Sequence, residues 1–114
     1  MQALAVETHY PLSAYQRSDD GELIKGADEK PLLKDNAKGY RIKPLNSLQF
    51  MEVMMDGHEV KNGINKMNSV GVKLLLTYGL EDASQISKIP ALDLVHVAQA
   101  IYNKSALAES ERKN

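Results

Sequence analysis

Apolar positions change their period along this chain. From Leu48 to Tyr102 they recur at helical spacing in three runs separated by breakers, whereas residues 1–45 carry no such period. The first run is Leu48, Met51, Met54 and Met55. Asn46 precedes it as a good N-cap, with Gln49 three residues on as its capping-box partner. Leu45 and Phe50 occupy the N′ and N4 positions of a hydrophobic staple, and Asp56-Gly57 ends the run after about three turns. The second run, Ile64, Met67, Gly71, Leu74, Leu75 and Tyr78, is one stripe of a helix expected to start at Ile64. Gly79 closes it as a left-handed C′ residue, with Leu80 making the accompanying apolar contact. Gly71, bare within the stripe, reads as a point of close helix approach.

Residues 81–89 connect to the third run, with a short helical turn expected through Ala83 to Ile86. Pro90 suits the first turn of the helix that follows, because a first-turn N–H has no intrahelical partner to lose. Ala91, Leu94, Val95, Ala98, Ile101 and Tyr102 form its buried stripe, with Leu92 and Val97 to either side. That arc is wider than one packing contact needs, so part of it is expected to meet another chain. From Ala108 the sequence AESERKN is polar and is expected to fray.

Before Leu45, the chain is punctuated by Pro11, Asp20-Gly21, Gly26, Pro31, Gly39 and Pro44, which leaves room for short strands and loops only. Ala3 to Tyr10 and Tyr40 to Lys43 alternate in part, and Asp20-Gly21 is a hairpin turn signal between Tyr15 and Leu23-Ile24. No internal repeat or low-complexity segment stands out. The expected fold is mainly α: a small domain of about three helices with a short N-terminal β-hairpin or extended segment, an α+β arrangement being the alternative. Residues 1–45 would pack on a helical core of 46–107, and 108–114 would be a flexible tail, all within one domain.

Composition narrows the function. With 114 residues and 43% apolar content, the chain can close one core. Aromatic content is only 5%, so that core rests on aliphatic residues and five Met, which adapt to partners but specify packing poorly. Fourteen basic against fifteen acidic residues give a net charge of -1, without the field that gathers nucleic acid or anionic lipid. The absence of cysteine excludes disulfides and thiolate metal sites within these residues. The opening MQALAVETHY has neither a basic n-region nor an apolar h-region, and no apolar run approaches the roughly 18 residues a membrane span needs. A soluble, unexported protein is the expectation.

Candidate chemistry is sparse. Asp56, His58 and Glu59 are the one local cluster with metal-ligand character, and Asp-Gly-His-Glu also reads as an exposed turn, the preferred reading. His96 borders the apolar stripe of the last helix and His9 stands alone. No motif arranges a Ser nucleophile beside either. Gly57, Gly63, Gly71 and Gly79 do not form a phosphate loop or a dinucleotide fingerprint. No catalytic residue, cofactor or metal is therefore expected. The set Met51, Met54, Met55 and Met67 reads equally as a partner surface or as core filler. Leu74 to Ile101 has the outline of a helix-turn-helix, but Ala91 to Tyr102 offers Gln99 alone among the residues that read base edges.

Ser69 to Leu107 resembles the tail assembly chaperones of long-tailed bacteriophages. The likeness is carried by a helix ending Tyr78-Gly79-Leu80, the acidic Glu81-Asp82, Ile89-Pro90 opening the final helix, and Ile101 followed by Ser105-Ala106-Leu107. Tyr40 to Phe50, a short strand leading into a capped helix, is similar to the segment that precedes these elements in the family. The resemblance implies a non-enzymatic protein of the infected host cytoplasm, absent from the mature virion. It would coat the tape measure protein, keep it soluble, help recruit tail tube protein and self-associate. It also implies a longer form made by ribosomal frameshifting, for which Lys113-Asn114 is a compatible dipeptide. On this reading the protein-binding candidates are Leu92, Leu94, Val95, Val97, Ile101 and Tyr102 on the last helix, with Met51, Met54 and Met55. A phage head-tail adaptor and a small helix-turn-helix regulator are the alternatives.

Overall fold

The computed structural model describes residues 5–113; Ala3, Leu4 and Asn114, on which parts of the sequence reading fall, lie outside them. The architecture is mainly α. The body is formed by α1 (Ser47–Asp56), α2 (Ser69–Gly79) and α3 (Ala91–Lys113). Two antiparallel pairs accompany them: β1 (Glu7–His9) with β2 (Tyr40–Ile42), and β3 (His58–Lys61) with β4 (Ile64–Met67). A 3₁₀ turn, Ala83–Lys88, links α2 to α3.

The α1 capping box forms as expected: Asn46 Oδ1 accepts from Gln49 N at 2.8 Å, and Gln49 Oε1 accepts from Asn46 N at 3.0 Å. The helix turns Val53 into the core, together with Leu45 before it, and Phe50 packs on the same cluster. β2 adds Tyr40 and Ile42, α2 adds Leu75 and Leu76, and α3 adds Val97, Ala98 and Ile101.

In the second half the structure departs from several expectations. The helix does not start at Ile64. Asn62 (φ 53) and Gly63 (φ 75) both adopt the left-handed conformation of a type I′ turn, and residues 58–67 fold as a hairpin around them. α2 begins five residues later, where the Asn68 side chain accepts from Gly71 N at 3.0 Å. The bare surface at Gly71 is a point of close helix approach, as expected: it meets Gly57, the C-cap of α1, whose N–H still bonds the Val53 carbonyl. A Cβ there would lie 2.5 Å from the Gly57 carbonyl oxygen, and one on Gly57 would lie 2.6 Å from Gly71 Cα. Gly79 ends α2 without a left-handed turn; what requires a glycine there is α3, which crosses so closely that a Cβ would overlap the Ile101 side chain.

The C-terminus also departs from expectation. Ala108 to Lys113 is helical, not frayed. Ala108 is fully buried, and Arg112 Nη2 donates to the Leu45 carbonyl at 3.0 Å while Nη1 pairs with Glu109 at 2.9 Å. Nearby, Ser105 Oγ accepts from Leu45 N at 3.0 Å and donates to the Ile101 carbonyl at 2.7 Å. The last three turns of α3 thus hold both backbone polar groups of Leu45, where the chain enters α1.

Residues 14–37 contain a repeat that composition does not advertise. Gln16 N donates to the Leu32 carbonyl (2.8 Å), Leu32 N to that of Ile24 (2.9 Å), and Ile24 N to that of Gln16 (3.1 Å), closing a cycle of residues spaced by eight. A second set has the same spacing: Ser18 N to Glu22 O, Gly26 N to Lys30 O and Lys34 N to Ala14 O. So do the turn bonds Gly21 N to Ser18 O, Glu29 N to Gly26 O and Ala37 N to Lys34 O. The Asp20-Gly21 turn falls where expected, as one corner of three. Tyr15 bridges Leu33, Arg17 bridges Leu23, and Lys25 bridges Pro31, so each short segment touches both others. We call this three-cornered unit the rosette.

Candidate functional site

Helix α1 is apolar on two sides. Leu48, Met51 and Met55 recur at i, i+3 and i+7 on the side away from Val53, where they are 72%, 50% and 72% exposed. Met54, at their edge, is also exposed. The Tyr102 hydroxyl donates to Met54 Sδ at 3.7 Å, and the Tyr102 ring lies 5.5 Å from that of Phe50, which joins the middle of α3 to the rim of this face. Glu52 flanks the stripe with its carboxylate held by the Tyr78 hydroxyl at 2.7 Å. That bond, with some burial, holds the Tyr78 phenol above its ordinary pKa.

The candidate residues of α3 separate. Val97 and Ile101 are fully buried in the chain's own core and are removed from the partner surface. The helix rotates so that Val97, Ala98, Ile101, Ser105 and Ala108 face inward, whereas Val95, expected in the buried stripe, points out. Leu94 and Tyr102 are half-buried against the core, and Leu92 and Val95 stand on the outer side. Leu48 completes the α1 face; of the set that reads equally as surface or core filler, Met51, Met54 and Met55 are exposed and Met67 packs on the core.

The histidines do not converge on chemistry. His58 places Nδ1 3.0 Å from the Val53 carbonyl, a bond that ties the start of β3 to the end of α1. Glu59 is the next residue of that strand and projects to the opposite face from His58, so of the cluster expected as an exposed turn, Asp56 ends α1 and the other two lie in β3. His9 and His96 border a shallow hollow of about 220 Å³ with Tyr10, Leu12, Gln99 and Asn103. Burial lowers the His9 pKa; Glu7 opposes that shift and His96 adds to it. Among the described residues no three His, Asp or Glu side chains gather as metal ligands, and no helix is long and apolar enough to cross a membrane.

A larger cleft, about 340 Å³, lies where the rosette meets β2 and the start of α3. Lys34, Lys38 and Lys88 border it, with Tyr40 and Asp93 in its wall. Comparison with protein-family models, with curated proteins and with solved structures gives no match for this chain.

Proposed function

We propose that this chain is a non-enzymatic assembly chaperone that holds a longer, apolar protein through the outward face of α1. The reading joins the sequence resemblance to phage tail assembly chaperones with one observation: Leu48, Met51 and Met55 form a stripe that the described residues leave exposed. Leaving three large apolar side chains in water on one short helix is unfavourable, and a partner that covers them recovers roughly 25 cal/mol for each Å² buried. Methionine suits a client presenting many similar but unequal segments, because its unbranched side chain repacks against different shapes. In this proposal the client is the tape measure protein, and weak contacts repeated along it provide the hold. Self-association, recruitment of tail tube protein through a frameshifted form, residence in the host cytoplasm and absence from the mature virion belong to the same proposal. On α3 only Leu92 and Val95 remain as outward apolar candidates, with Tyr102 at the junction.

Co-expression with the tape measure protein of the same phage tests it. The client is expected to stay soluble and to co-purify with the wild-type chain. Paired substitution Met51→Glu and Met55→Glu should abolish both effects, with the circular dichroism of the chaperone unchanged. Equal solubility of the client with the doubly substituted chain would sink the reading.

A further inference from the structure

Tyr40 is out of place as a plain core residue. Its side chain is buried, at 3% exposure, beside Ile42 in the strand that feeds the core, yet it lines the 340 Å³ cleft and its hydroxyl has no hydrogen-bond partner among the described residues. The ring is in the core while the hydroxyl itself opens on the cleft, where it can donate to whatever enters. The polar groups around it are strongly biased in charge. Lys34 and Lys38 come from the end of the rosette and the segment after it, and Lys88 from the 3₁₀ turn before α3; all three are exposed, and Asn36 adds a side-chain amide. Lys38 Nζ stands 5.6 Å from the centre of the Tyr40 ring, so the aromatic face holds that cation at the mouth.

Asp93 is the one carboxylate in the lining, and its environment answers its charge locally. It is buried in the first turn of α3, where the helix dipole favours an anion, and Ser13 Oγ donates to its oxygens at 2.8 and 3.0 Å. The three ammonium groups at the rim form no salt bridge among the described residues, although, beside the hydrogen bonds from Ser84, Lys88 lies near enough to Asp82 to help lower its pKa. Burial, with Asp93 nearby, also keeps the Tyr40 pKa above its ordinary value, so the hydroxyl remains a donor throughout the neutral range.

We propose that this cleft binds a small oxyanion, a carboxylate or a phosphate, with the Tyr40 hydroxyl as the directed donor and Lys34, Lys38 and Lys88 supplying the charge. The volume is at the lower end for ligand sites and suits a compact polyanion. Lysines act here as mobile point charges, without the planar fork that arginine would impose, so one site can accept either oxyanion geometry. The inference does not rest on the chaperone reading.

Calorimetric titration with sodium phosphate and, separately, with succinate at low ionic strength tests it on the full chain, with amide chemical shifts followed by NMR. At least one probe should bind saturably and move the resonances of Asn36, Lys38 and Tyr40; which one does so names the ligand class. Tyr40→Phe keeps the ring in the core and should weaken binding about tenfold. The triple substitution Lys34→Gln, Lys38→Gln and Lys88→Gln should abolish binding while the melting temperature in the absence of either probe stays near wild type. The proposal is overturned if neither probe saturates below about 10 mM, or if the triple variant binds like wild type, the latter even where Tyr40→Phe fails to fold.

Discussion

The helical body and the rosette are held together by opposite means. In the body, Leu45, Val53, Leu75, Val97 and Ile101 are all fully buried, and backbone hydrogen bonds serve mainly to shape the elements that carry them. In the rosette only Ala14 is buried, and Ile24, Leu32 and Leu33 remain 37–39% exposed, so backbone bonds closed into a cycle set the shape. Because the net value of one such bond is only about 1 kcal/mol, the rosette has a small margin of its own, and its attachment at Ser13 and Asp93 ties it to the body. The body should therefore respond to changes of packing, and the rosette to changes of backbone conformation.

The largest effect should come from Val97→Asp. The residue has no exposure, and an unpaired carboxylate at its position should remove more than about 4 kcal/mol, enough to unfold a domain of this size. Thermal denaturation reads this directly. A folded variant with altered self-association would instead place Val97 at a surface and break the assignment of α3. Truncation after Leu107 ranks next. It removes buried Ala108 and the Arg112 bond to Leu45, and should lower stability by about 1–2 kcal/mol in urea melts. A truncation without cost would restore the view of this segment as a loose tail.

Smaller changes address the rosette. Gly21 sits at φ 87 with open space where a Cβ would stand, so Gly21→Ala should cost about 1 kcal/mol through backbone conformation alone. Glu29 occupies the equivalent corner at φ 65 without being glycine, and Glu29→Gly should act in the opposite sense. Hydrogen exchange should localise both effects to the Gln16, Ile24 and Leu32 amides. Equal changes in the amides of α2 would show that rosette and body unfold as one. The smallest effect concerns His9, against α3. Its pKa is lower in the folded chain than the usual value of about 6.5. Its contribution is therefore present above pH 6.5 and lost as pH falls through the lower folded value. His9→Phe should flatten that part of the melting temperature profile between pH 7.5 and 5.5.

The same contrast explains what the sequence discloses. Capping chemistry is local, so Asn46 and Gln49 mark the start of α1, and Pro90 marks that of α3. Apolar spacing identifies helices but not which side faces inward, and α1, with apolar residues on both sides, defeats it: Leu48 and Met51 share the period of Phe50 and Val53. Asn62-Gly63 between Val60 and Ile64 is a strong hairpin signal that the helical stripe from Ile64 conceals, since Met67 fits both patterns. The rosette repeat shows only faintly, as Asp20, Asp28 and Asn36 spaced by eight, because its bonds are backbone bonds that many side chains permit. Tyr40 is legible as an alternating strand residue; its unbonded hydroxyl requires the three-dimensional arrangement around it.

Closure of the rosette also decides where foreign strands can add. A short segment flanked by both of its companions has no free side on which another chain can continue the ladder, and three short segments therefore present no template for aggregation. The β3–β4 hairpin is built differently: a lone pair has two open margins, and Val60 and Ile64 are 74% and 56% exposed on it. Lys61 and Lys66 are on those strands, the kind of charge with which natural sheets discourage edge-to-edge growth, so a neutral residue at either would make that hairpin the chain's first point of misassembly.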